Sequence, residues 1–113
     1  MKIDSVVKDG LTILSVVGEM DLSNAADLKT VIEEQLSAGI ISKLIIDLGK
    51  VSYLDSSGIG ILVASFTKVR KAGGSLKLAN LSETVRETLK LTNLIEFFEV
   101  YDTLEDALKS FVV

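Results

Sequence analysis

Apolar and polar positions alternate near the start of the chain, over residues 3–7 and again over 11–17, with Asp9-Gly10 between the two runs. That pattern predicts a β-hairpin, because a two-residue turn needs positive φ at both central positions, which Asp and Gly tolerate. Gly18 is expected to end the second strand. Helical spacing follows, with Leu28, Val31, Ile32 and Leu36 on one face and Asp27, Lys29, Glu33 and Glu34 on the other. Ser23 or Asn24 can cap that helix, and Gly39 is placed to end it. Residues 44–48 form a continuous apolar run of the kind found in a covered central strand. A break at Gly49-Lys50 then leads to residues 51–54.

The polar group Asp55-Ser56-Ser57-Gly58 opens a second helix to about Lys71, which Gly73-Gly74 stops. Residues 75–79 alternate as a strand, with Leu76 and Leu78 on one face. Ser82 begins a third helix with Val85 and Leu89 inward. A short strand is expected over 97–101. Thr103 then caps a last helix through Leu104, Ala107, Leu108 and Phe111, where Asp106 only partly mimics a capping box. The order is β-β-α-β-α-β-α-β-α: an α/β fold in one domain over residues 1–113. Its sheet is mixed and mostly parallel, built by crossovers, with the N-terminal hairpin strand as an antiparallel edge and about four helices.

Composition narrows the chemistry. The chain has 113 residues, of which 48% are hydrophobic and 25% charged, enough apolar side chain for a folded core. It has no cysteine, which removes disulfides, iron–sulfur clusters and thiolate zinc sites, and no histidine, which removes imidazole metal sites and Ser-His-Asp triads. No metal or cofactor is expected. A net charge of −4 argues against nucleic acid as a partner. The longest uncharged stretch, residues 56–67, is roughly a dozen residues where a membrane span needs about twenty. Lys2 and Asp4 flank Ile3, so no signal-peptide core is expected there. The expectation is a soluble, cytoplasmic protein.

The informative stretch is Asp55-Ser56-Ser57-Gly58-Ile59-Gly60, at the carboxyl end of a central strand and the amino end of the second helix, the rim where open α/β sheets carry their sites. Helix capping alone accounts for Asp and Ser there, with Gly permitting close strand–helix packing. Two serines are more than a cap requires, however, and a phosphate at this position would meet the positive end of the helix dipole, worth about 0.3–1 kcal/mol. The helix that follows is apolar on nearly every side. Ile59, Leu62, Phe66 and Val69 would supply its core stripe, leaving Ile61 and Val63 for another face, either covered by the fold or offered to a partner. All the net negative charge lies before Thr67.

At these residues the sequence resembles a known family. Residues 44–60, together with Gly18-Glu19-Met20-Asp21, Gly73-Gly74-Ser75-Leu76 and Leu91-Thr92-Asn93-Leu94, are similar to the signature of STAS-domain anti-sigma factor antagonists. The resemblance implies a non-enzymatic switch in bacterial transcription control. The unphosphorylated antagonist binds an anti-sigma factor that is also a serine kinase, and so frees a sigma factor. The kinase then phosphorylates the first serine of the motif, here Ser56, and binding is lost until a metal-dependent serine phosphatase resets the cycle. The implied partner surface comprises Asp21, Ser23, Asp55, Ser56, Ser57, Gly58, Ile59, Gly60 and Ile61, on a domain that is a monomer when free. Ser57 shares the same helix start, so spacing leaves it open as a second acceptor.

Other readings fit less well. A Ser56 nucleophile would need a lysine base, and nothing in the spacing of Lys50 or Lys68 places either beside it. Val63 stands where a dinucleotide loop needs its third glycine. A phosphoaspartate receiver could claim Asp47 and Asp55, but it lacks the late-strand lysine and the early acidic pair. Within the resembling family, a scaffold or a subunit of a stress-signalling or lipid-transport complex is the alternative.

Overall fold

The computed structural model describes residues 1–39 and 42–111. Nine elements follow in the expected order: β1 (Lys2–Lys8), β2 (Leu11–Met20), α1 (Ala25–Ser37), β3 (Lys43–Leu54), α2 (Ser56–Lys71), β4 (Ser75–Ala79), α3 (Glu83–Leu91), β5 (Glu99–Tyr101) and α4 (Leu104–Lys109). They build a five-stranded sheet in the order β1-β2-β3-β4-β5. The β1–β2 pair is antiparallel and the other three pairs are parallel. The hairpin turns at Asp9 and Gly10 with φ of 53° and 79°, the double positive φ that the Asp-Gly pair predicts.

Two glycines expected to end strands do not. β2 runs through Gly18 to Met20, and β3 runs unbroken through Gly49 and Lys50. Both sites lie at irregularities of the β2–β3 ladder instead. Ser15 faces Asp47 and Val17 faces Lys50, so β3 spends an extra residue beside Val16. Such a bulge bends a strand without terminating it. The Asp47 carboxylate fastens this one by accepting from the Gly49 N–H at 2.9 Å. Gly18 has φ of 106°, a conformation that a side chain would strain. The last strand starts later than expected, at Glu99, because Phe97 N–H turns back to the Leu94 carbonyl.

The sheet's two faces are unequal. One is a thick core in which Leu14, Val16, Leu44, Ile46, Leu48 and Leu78 meet Leu28 and Ile32 of α1, Leu62, Phe66 and Val69 of α2, and Val85 and Leu89 of α3. The other carries a small core of Ile45, Ala79 and Ala107, flanked by Leu11, Ile13, Tyr101, Leu104, Leu108 and Phe111. Lys77 of β4 points to this thin side and is only 8% exposed. Its Nζ donates to Ser110 Oγ at 2.7 Å, lies 3.6 Å from Glu99, and sits 4.0 Å from the centroid of the Phe111 ring and 5.3 Å from that of Tyr101. A desolvated cation between aromatic faces is a strong local tie, and here it clamps the end of α4 to the sheet. Lys77→Ala should therefore raise amide exchange across α4 by about tenfold (~1.4 kcal/mol of local opening) while exchange in β2 and β3 stays unchanged. Equal acceleration in all three would mean that the two cores open together.

Candidate functional site

Met20 and Leu54 are register partners at the ends of β2 and β3, so the segments that follow them emerge side by side at one rim. The Asp55 N–H donates to the Met20 carbonyl at 3.2 Å, which joins the two strand ends directly. Asp55 is the N-cap of α2. Its Oδ1 accepts from the N–H groups of Ser57 at 2.9 Å and Gly58 at 3.1 Å. Its Oδ2 accepts from the Leu22 N–H of the neighbouring segment at 3.3 Å. The Ile59 N–H then takes the Asp55 carbonyl at 2.9 Å, the first rung of the helix. One carboxylate thus satisfies two otherwise free donors of the first turn and ties down the adjoining loop.

This settles the roles of the two serines in the fold. Asp55 makes the cap, and neither hydroxyl takes part in it. Ser56 is exposed at the first helical position and Ser57 is half-buried behind it. Gly58 is buried for a packing reason: a Cβ there would lie 2.5 Å from Leu54 Cδ1 and 2.9 Å from the Met20 carbonyl oxygen.

The neighbouring loop is held by its own polar residues. Asp21 Oδ1 accepts from the backbone N–H of Ser23 at 3.0 Å and from its hydroxyl at 2.5 Å. Asn24 Oδ1 accepts from the Asp21 N–H at 3.0 Å, and Asn24 Nδ2 donates to the Glu19 carbonyl at 2.8 Å. Asn24 occupies the N-cap position of α1, yet its side chain makes no cap bond and braces the loop instead; Ser23 caps nothing either. The Ser23 hydroxyl holds the Asp21 carboxyl below its usual range, with the Ser23 and Asn24 N–H groups adding to this and partial burial opposing it.

The rim therefore brings Asp21, Ser23, Asp55, Ser56 and Ser57 together, as expected from the sequence. Ile59, Ile61 and Val63 are half-buried and pack in part against the thick core, so Ile61 serves the fold as well as the surface. Lys50 and Lys68 stay away from Ser56. Lys50 lines a polar cleft with Asp4, Asp47 and Asn80, while Lys68, about three turns along α2, pairs with Glu33 of α1. Asp47 is engaged by Gly49 and Asn80, apart from the Asp55 cap.

A model of the STAS domain matches residues 2–107. The chain belongs to the STAS domain family. The anti-sigma-B factor antagonist of Bacillus subtilis is 37% identical to it over 87 residues, 77% of this chain and 78% of that protein. The crystal structure of an anti-sigma factor antagonist from Mycobacterium paratuberculosis matches with a TM-score of 0.80 at 34% identity, covering 96% of this chain and 93% of that one. The Bacillus cell fate determinant SpoIIAA in its phosphorylated form shares the fold, with a TM-score of 0.76 at 21% identity over 96% and 98% of the two chains.

Two features of this STAS domain's rim escaped the sequence reading. Leu22 is 83% exposed directly beside Asp55, and Tyr53 is 48% exposed one residue before the strand end. An apolar side chain in a polar loop gives no periodic signal, and only the fold shows that it faces outward. Among the described residues no helix is long and apolar enough to cross a membrane.

Asp55→Ala should cost about 1–2 kcal/mol in denaturant unfolding, because the cap and the tie to Leu22 are lost together. Asp55→Ser should restore the cap alone, leaving the Leu22 amide fast in hydrogen exchange. The lowered pKa of Asp21 stabilises its loop above the usual carboxylate range, and that contribution disappears as pH falls through the lowered value. Ser23→Ala should move the Asp21 carboxyl pKa upward in an NMR titration; an unmoved value would show that the backbone N–H groups suffice.

Proposed function

We propose that this STAS domain is an anti-sigma factor antagonist whose binding surface is the Asp21–Asp55 rim and whose switch is phosphorylation of Ser56. The observation that carries the reading is the division of labour at α2. Asp55 satisfies the helix start, so the exposed Ser56 hydroxyl is free of any capping duty. Relatives named as anti-sigma factor antagonists, at 37% and 34% identity over most of the chain, support the same reading.

The partner is an anti-sigma factor that is also a serine kinase. In the modification, Ser56 Oγ attacks the γ-phosphorus of ATP, the bond to the β,γ-bridging oxygen breaks, ADP leaves, and the hydroxyl proton passes to a base on the kinase. A metal-dependent serine phosphatase returns the serine by hydrolysis. The phosphate adds about −1.5 to −2 charges beside Asp55 and near Asp21. Because Asp55 already holds the Ser57 and Gly58 N–H groups, few local donors remain for it, and the new charge is directed outward to the interface. Drying a phosphate against a fitted surface, with like charges alongside, costs several kcal/mol, and about 4 kcal/mol is a thousandfold in affinity. The half-buried Ser57 is the poorer acceptor. The domain acts as a binding protein in the cytoplasm and is a monomer when free.

Intact-mass analysis after incubation with ATP, Mg²⁺ and the anti-sigma kinases of the same genome should show a single added phosphate, mapped to Ser56. Ser56→Ala should bind the anti-sigma factor constitutively, and Ser56→Asp should weaken binding by about tenfold or more. Phosphate on Ser57 in the Ser56→Ala variant would move the acceptor. No phosphorylation by any kinase would shift the function toward an unmodified scaffold or complex subunit. Leu22→Ala should weaken binding with little change in stability, as expected for an exposed apolar contact.

A further inference from the structure

Two glycines of the motif stand two residues apart and answer different demands. Gly58 is required by this chain's own packing, since a Cβ there would strike Leu54 and Met20. Gly60 is exposed, and apart from the adjoining backbone of its own helix a Cβ built on it would meet no heavy atom within 4 Å. Its φ is not positive, so the backbone conformation does not call for glycine either. It lies inside α2, where glycine is the least favourable residue after proline. The fold thus carries a destabilising residue at a place where alanine would fit and strengthen the helix.

A missing Cβ on an outward face matters only to something that comes from outside and needs the space. What gains from it is another main chain, which can approach a glycine more closely than any side-chain-bearing residue. Gly60 is one helical turn from Ser56 and therefore on the same face. The exposed Leu22 is tied to the start of the same helix by its N–H bond to Asp55. These positions are continuous with the surface assigned above to the anti-sigma factor.

We infer that Gly60 is the point of closest approach between this domain and the main chain of the anti-sigma factor, kept as glycine for the contact at the expense of helix stability. The inference rests on the proposed function and deepens it by naming the residue that sets the fit of the partner.

The test compares wild type, Gly60→Ala, Gly60→Leu and Ser56→Asp, with thermal unfolding and calorimetric titration against the anti-sigma factor of the same genome that wild type binds. Gly60→Ala should raise Tm by about 2–5 °C and weaken binding by about tenfold or more. Gly60→Leu should stay folded and bind more weakly still. Unchanged affinity in either variant, or a fall in Tm for Gly60→Ala, would overturn the inference. If Ser56→Asp loses affinity while Gly60→Ala keeps it, this inference alone fails. If wild type engages none of the anti-sigma factors, the proposed function fails and takes the inference with it.

Discussion

A single carboxylate organises the working end of this domain. Asp55 accepts hydrogen bonds from two donors of α2 and one of the loop after β2, while its own N–H reaches the last residue of that strand. Without it the helix would start with unsatisfied donors, and the loop carrying Asp21 and Leu22 would lose its link to the helix. The rest of the rim follows from that anchor. Gly58 lets the helix seat against Leu54 and Met20, and Ser56 falls outside the network, available for chemistry.

The division between front and back of the sheet complements this arrangement. Three helices press on the thick core and hold the ends of β2 and β3 at a fixed spacing. The opposite face depends on a small apolar group and on the Lys77 clamp over α4. Opening energy is therefore unevenly distributed, with the weaker assembly on the face away from α2.

Most of the architecture was legible because its signals are local. The Asp9-Gly10 turn, the helical stripes and the glycines that close α1 and α2 each depend on a few neighbouring residues, and these stand in the fold. Gly18 and Gly49 misled because glycine marks both the end of a strand and a bulge within one, and only the pairing with the adjacent strand separates the two. At the site, the sequence brought Asp21 and Asp55 to one rim through strand order. It could not say whether Asp55 or the serines made the cap, since all three residues are good N-caps. Nor could it show Leu22 facing outward or Ile61 half-turned into the core, because exposure of a lone apolar residue is set by tertiary packing.

The bond between Leu22 and Asp55 joins residues 33 positions apart. A partner docking on the rim as proposed would therefore meet a discontinuous epitope, one half contributed by the loop after β2 and the other by the start of α2. A synthetic peptide running from Tyr53 to Ala64 would contain every letter of the Asp-Ser-Ser-Gly motif and lack half of the surface. Grafting the motif onto another helix would fail in the same way, unless the host also supplied a strand end for Gly58 to rest on and a backbone donor for the second carboxylate oxygen.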